Sequence, residues 1–311
     1  MKFHPDFWAV IVGGSSGFGL ATAQKLAAHG MNLCIVHRDR RSIMTRITPE
    51  FERLSQTGVR VLTFNLDGLS SEGRTRVLDA LAGAMGDTGR VRMLLHAVAF
   101  GNLKLLAPFD PKGHSRKARQ KIAENAEISE KIIDQSILQA FNAGCDALYP
   151  LVDPPQYNTH SFLDKDDFAH TLQAMGANIV EWVQDIFHRG LFAEDSRVLS
   201  LTSEGNAIAW RGYAAVAAAK AVLESVSRAM ALEFAPFGIR VNVIQAGVTE
   251  TAALSAIPGN RQIRANAALR NPMGRLTRPE DVANVIYLLC RDEAAWINGA
   301  LIRVDGGESI A

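Results

Sequence analysis

The chain has 311 residues, with 33 Lys and Arg against 32 Asp and Glu and a formal net charge of +1. That balance excludes the simplest electrostatic case for a nucleic-acid or membrane-surface binder, which needs a cationic excess or a basic run. A hydrophobic fraction of 48% with 21% charged residues excludes a disordered chain.

Trp8–Val12 reads as a first strand, and its polar start and glycine-rich end do not suit a secretory leader. No run approaches ~18 apolar residues, so no membrane span is expected. Cys34, Cys145 and Cys290 are far apart and odd in number. They predict neither a disulfide framework nor a zinc set, and a reducing, cytoplasmic setting with no metal is expected.

Glycines follow the first strand, then Leu20, Ala21, Leu26, Ala27 and Ala28 recur at helical spacing. Further strands are expected at Asn32–Val36, Val59–Phe64, Val91–Ala99, Arg197–Leu201, Ile239–Ile244 and Ala300–Val304. Helices are expected over Ser71–Leu81, Leu172–Phe187, Tyr213–Phe234 and Pro279–Leu289. Alternating strands and helices predict an α/β fold, a doubly wound parallel sheet, in a single domain over 1–311.

Residues 101–167 break the rhythm and are read as a helical insert after the fourth strand, since a structureless loop of that length is improbable. They hold a basic patch of Lys112, Arg116, Lys117, Arg119 and Lys121. It is expected to be a solvated helix face, with contact to an acidic partner as the sharper alternative.

Gly13, Ser15, Ser16, Gly17, Phe18 and Gly19 lie between the first strand and first helix. Glycine there lets a pyrophosphate approach main-chain amides, and the helix N-terminus supplies unpaired N–H groups. Arg38 ends the second strand where a guanidinium favours a 2′-phosphate, so NADPH is expected over NADH. Asp39 is the competing acid, and a one-residue shift would reverse that preference. Asn65, Leu66 and Asp67 follow the third strand, placed to touch the adenine.

Tyr213 and Lys220 are seven apart, near two helical turns, so both project from one face. An ammonium near a tyrosine favours the phenolate and equips the pair to stabilise a developing oxyanion. Ser203 precedes them. His96, at the end of an apolar strand with no spaced acid or cysteine, reads as structural.

These residues resemble the short-chain dehydrogenase/reductase superfamily across nearly the whole chain apart from the insert. The Tyr213-to-Lys220 spacing resembles its enoyl-acyl-carrier-protein reductase branch; most relatives carry the tyrosine where this chain has Val216. The stretches His96–Phe100, Gln245–Thr251 and Val304–Ala311 resemble the same branch.

The resemblance implies that Tyr213 stabilises an enolate and Lys220 holds the nicotinamide ribose. It places Ala97, Val98, Gly247, Thr249 and Thr251 against the cofactor and Phe100 and Gly101 beside the acyl group. It further implies an acyl thioester substrate, on acyl carrier protein or coenzyme A, and a homotetramer or dimer. Ser203 stands where many enoyl reductases have a second tyrosine and ketone reductases have serine, and so does not discriminate. A ketone reductase and a non-catalytic dinucleotide-binding scaffold are the alternatives.

Overall fold

The computed structural model describes residues 2–109, 113–158 and 160–311. Seven strands form one sheet: β1 (Phe7–Val12), β2 (Asn32–His37), β3 (Val61–Asn65), β4 (Arg90–His96), β5 (Phe192–Thr202), β6 (Ile239–Ala246) and β7 (Leu301–Val304). Their order is β3-β2-β1-β4-β5-β6-β7, and every adjacent pair is parallel.

Alternate residues of the central strands feed two apolar layers, as the two-residue period of a strand requires. Ile11, Ile35, Leu95 and Ile244 pack against α1 (Gly17–Ala28), α2 (Arg41–Ser55) and α11 (Pro279–Leu289). Val10, Val36, Leu94 and Val198 pack against α3 (Ser71–Met85), α7 (Asn178–His188) and α8 (Ala214–Glu233). This is the doubly wound fold that the alternation of elements predicts.

The chain runs outward from β1 to β3 and returns beside β1 as β4, so the strand order reverses between β1 and β4. Open parallel sheets bind ligands outside the carboxyl ends of the strands at such a point. The glycine turn after β1 and residues 97–101 after β4 lie there.

The expected helix over Leu172–Phe187 is interrupted. After α6 (Lys165–Leu172) the chain makes a π turn at Gln173–Ala177 before α7 begins. Strand β5 starts five residues before the expected Arg197, because Phe192 pairs with Val91 before the register shifts.

The insert carries its own helices, α4 (His114–Ala126) and α5 (Glu130–Asn142), and a 3-10 turn at Asp146–Leu151, and ends in the first turn of α6. Three members of its basic patch are paired from within the insert. Arg119 is buried, bonded to Asp134, Asp153 and the Leu151 carbonyl, while Arg116 pairs with Glu130 and Lys121 with Glu124. Lys112 lies outside the described residues. These ion pairs support the solvated-face reading for the exposed members and make Arg119 an internal brace, which the patch pattern conceals.

Candidate active site

The turn after β1 is closed by the Gly13 and Gly14 amides donating to the Val36 carbonyl, at 2.8 and 3.3 Å. Gly13 has φ +92°, and a Cβ there would come within 2.6 Å of the Ala97 carbonyl oxygen. A Cβ on Gly19 would meet the Gly13 carbonyl oxygen at 2.1 Å. Ser16 is the N-cap of α1, yet its side chain makes no capping bond and the first turn holds no acid. The helix N-terminus is therefore left with unpaired N–H groups and its partial positive charge, which suits a phosphate.

A groove of about 810 Å³ runs from this turn. Gly13, Ser15, Ser16, Gly17, Phe18 and Gly19 line it, together with Arg38, Leu66 and Asp67 and with Ala97, Val98 and Phe100. Asn65 is not in the wall. Its amide grips the Asp39 backbone instead, accepting from the N–H at 2.9 Å and donating to the carbonyl at 3.0 Å. It shapes the end of β2 and does not reach the groove itself.

Asp39 is also held through its carboxylate, which pairs with His37 Nδ1 at 2.8 Å. The Arg38 side chain is 62% exposed, with Asp67 at 3.4 Å, and lies over the Phe100 ring at 5.6 Å. Phe100 thus borders the nucleotide groove beside Arg38. Of the two residues expected beside the acyl group, Gly101 lies in the wall of the adjoining cavity and Phe100 does not; a Cβ on Gly101 would press on Thr171, Met175 and Val216.

The groove opens into a cavity of about 240 Å³, sharing Phe18, Ala99 and Thr251 with it. Ser203, Tyr213, Gly101, Gly247, Thr249 and Thr251 are in the cavity wall, together with the apolar Leu103, Trp210 and Val216. From the far side come Leu254 and Ile257, near the short helix α9 (Ala252–Ser255), and Ile263 of α10 (Asn260–Arg270). These segments form a flap over the cavity. Its outer face is docked on the insert, Tyr149 Oη donating to Asn266 Oδ1 at 3.1 Å and Gln262 Nε2 to the Asp153 carbonyl at 3.2 Å.

Tyr213 is the N-cap of α8. Burial pushes its hydroxyl pKa up, and the nearby Ser203 hydroxyl acts the other way. Ser203 Oγ is itself buried and is left without a well-formed hydrogen bond among the described residues. Gly205 fits under the Tyr213 ring, where a Cβ would lie 2.6 Å from Cε1.

Lys220 is 8% exposed and stands behind the cavity wall, donating to the Leu201 carbonyl at 2.8 Å. Burial lowers its pKa to about 8, against the opposing charge of Glu224. Glu224 accepts from Thr202 Oγ1 at 2.6 Å and from Asn206 Nδ2, joining α8 to both flanks of Ser203.

His96 is buried and pairs with Asn178 Oδ1 at 3.4 Å. Burial and then the Lys220 charge lower its pKa to about 3, with Asn178 opposing. It is a neutral structural histidine. Asn178 begins α7 immediately after the π turn, where a regular helical period gives no sign of a break.

No group of three or more His, Cys, Asp or Glu side chains suited to a metal occurs among the described residues, and no helix there is long and apolar enough to cross a membrane.

A phosphate-ready turn at the strand-order reversal, joined to a cavity bearing serine and tyrosine with a buried lysine behind it, defines a dinucleotide-type site of the doubly wound class. A family model described as short chain dehydrogenase matches residues 7–114, and one described as Enoyl-(Acyl carrier protein) reductase matches residues 155–309. The chain belongs to the short-chain dehydrogenase/reductase superfamily of oxidoreductases.

Among its relatives is cis-4-hydroxycyclohexanecarboxylate dehydrogenase of Sinomonas cyclohexanicum, 36% identical over 115 residues, 37% of this chain and 45% of the relative. Enoyl-[acyl-carrier-protein] reductase [NADH] of Escherichia coli K12 is 39% identical over 123 residues, 40% of this chain and 47% of the relative. The matches span about half the length of these relatives. A short chain dehydrogenase from Burkholderia cenocepacia J2315, solved in complex with NADP, superposes with a TM-score of 0.70 over 98% of both chains at 20% identity, a likeness of fold.

Proposed function

We propose that the protein reduces the C2=C3 double bond of an α,β-unsaturated acyl thioester with NADPH. The observation that carries this reading is the placement of Tyr213 in the cavity wall seven residues before Lys220, with the apolar Val216 in the wall one turn closer to the lysine. The likeness of residues 155–309 to the enoyl-reductase family model supports it.

Two features of the groove fit the dinucleotide: the uncapped start of α1, and Gly13 and Gly19, where no Cβ has room. When bound, the cofactor supplies the hydride. The glycine turn and α1 N-terminus would hold its pyrophosphate, and Thr249 and Thr251 in the cavity wall, with Lys220 behind that wall, would face its nicotinamide half. Arg38 would meet the 2′-phosphate, because the Asp39 carboxylate is already paired with His37 and the Asp39 backbone is held by Asn65.

Tyr213, kept protonated at neutral pH by burial, donates to the thioester carbonyl and stabilises the negative charge that grows there. Lys220 is still mostly cationic at neutral pH and adds its field. The apolar flap keeps water from the reacting carbon.

A second reading, reduction of a ketone, is favoured by Ser203 Oγ, buried without a partner in the same cavity wall as Tyr213. Two hydroxyls could then fork onto one carbonyl oxygen. The exposed Leu232, Leu288, Trp296 and Leu301, the last on the free edge strand β7, support a homo-oligomer closed over that edge.

The test is nucleotide oxidation by the purified protein, NADPH and NADH in parallel, with a short trans-2-enoyl thioester and a matched 3-ketoacyl thioester. The proposal expects NADPH oxidation with the enoyl thioester and loss of NADPH preference in Arg38→Ala. Turnover of the ketoacyl substrate alone selects the second reading. Nucleotide binding with no turnover of either thioester, or of any ketone or alcohol, would point to a non-catalytic scaffold.

A further inference from the structure

Three charged side chains that the proposed chemistry does not use meet at the edge of the cavity. Arg270, the last residue of α10, donates through Nη2 to Glu204 Oε1 and to Glu308 Oε1, the latter at 3.0 Å. Glu204 follows Ser203 and is the only charged residue in the cavity wall among the described residues. Glu308 is 1% exposed in the C-terminal turn, and its other oxygen accepts from the Val248 N–H at 3.0 Å. Val248 lies between Gly247 and Thr249 in the cavity wall. One guanidinium therefore connects the flap, the Ser203 loop and the loop after β6.

Burying two carboxylates with one guanidinium is a costly way to brace a fold, because desolvation can exceed the Coulombic gain. Burial is the main cause of the raised Glu308 pKa, and the like charge of Glu204 adds to it. The cluster is also not fully bonded. Arg270 Nε and Glu204 Oε2 are both buried with no partner among the described residues, although an arginine–carboxylate pair can close through two parallel bonds. The contact between flap and Ser203 loop is therefore a single bond where the two groups have atoms for a second.

We propose that Arg270 is a positioning residue: through Glu204 and Glu308 it holds the flap over the cavity and fixes the Ser203 loop against the nicotinamide-side loop, the Arg270–Glu204 contact becoming two-point once substrate is bound. Docking of the outer face of α10 on the insert does not pass through Arg270, so cutting the lock frees only the cavity side. The inference rests on the cavity being the catalytic site, as proposed above, and not on which thioester or ketone it reduces.

The test uses the full chain with and without NADPH, comparing wild type, Arg270→Met, Arg270→Lys and Glu204→Gln. Hydrogen exchange of residues 252–270 is expected to rise about tenfold in Arg270→Met and Glu204→Gln, while α1 and the sheet stay protected. With substrate, kcat/KM is expected to fall by up to about a hundredfold, mostly through KM, with NADPH Kd within about twofold of wild type. Arg270→Lys should recover part of the loss, since an ammonium can meet a carboxylate but cannot close the fork.

Should Arg270→Met fail to fold, Glu204→Gln, which keeps the Arg270–Glu308 pair, decides the matter alone. Unchanged flap exchange and unchanged KM in a variant that binds NADPH normally would overturn the proposal. So would exchange rising throughout the sheet, which would make the cluster a general brace. If wild type reduces neither thioester, the functional reading fails, yet the exchange comparison still decides the lock.

Discussion

Two buried charge clusters stand at opposite ends of the same sheet. At the amino ends of β4, β5 and β6, Arg92, Arg197 and Arg240 all converge on Asp195. Arg92 and Arg197 also donate to the Cys290 and Leu289 carbonyls, at 3.0 and 2.8 Å, so the last carbonyls of α11 are capped from the strands. At the carboxyl ends, Arg270 serves Glu204 and Glu308 with atoms left unbonded and with Glu204 in the cavity wall. The first cluster is bonded as a staple is. The second joins the flap to the two loops that line the cavity. Burial of charge does not distinguish them; completeness of bonding does.

The comparison breaks most visibly at the staple. Arg197→Met should destabilise the fold by about 3–5 kcal/mol, toward the lower figure because Asp195 keeps some water contact, with the remaining folded protein as active per molecule as wild type. Urea unfolding alongside active-site titration checks both halves. A folded Arg197→Met of wild-type stability would remove the staple from the account.

Gly205→Ala should act only at the cavity end. The new methyl must displace the Tyr213 ring, and kcat should drop by about tenfold or more with little change in urea midpoint. Equal losses of stability and turnover would contradict that separation.

The smallest effect is a shift of pH dependence. Lys220 loses its charge as pH rises through about 8, so kcat/KM should fall on the alkaline side from there. Glu224 holds that pKa up, so Glu224→Gln should move the alkaline limb to lower pH. The other titratable groups beside the ammonium are His96, neutral above about pH 3, and Tyr213, whose pKa burial raises; neither supplies a limb near 8. An alkaline limb that stays in place would exclude Lys220 as its source.

Features set by short-range rules were legible in the sequence. Strand periodicity, the glycine turn after β1 and the Tyr213–Lys220 spacing each depend on neighbours within two helical turns, and the fold brings the glycine turn and Tyr213 to an adjoining groove and cavity. Legibility failed where a side chain finds its partner across the chain. Arg119 reads as part of a surface patch until Asp134, Asp153 and the Leu151 carbonyl enclose it. Asn65 reads as an adenine contact until it is seen gripping Asp39.

The π turn before Asn178 leaves the apolar pattern of Leu172–Phe187 intact and is therefore invisible to it. Arg270 shares α10 with Arg261 and Arg264, and nothing in their spacing sets it apart. Arg264 does pair outward with Glu250, and Arg261 with Asn142 on the insert, whereas Arg270 turns inward to residues 66 and 38 positions away.

The most direct test of the account is turnover of Tyr213→Phe on the substrate that wild type reduces, with dinucleotide affinity measured on the same protein. The account predicts a fall in kcat of about 10²–10⁴-fold with the dinucleotide Kd essentially unchanged. Wild-type turnover by Tyr213→Phe would take the carbonyl's hydrogen-bond donor away from this helix and contradict the mechanism at its centre.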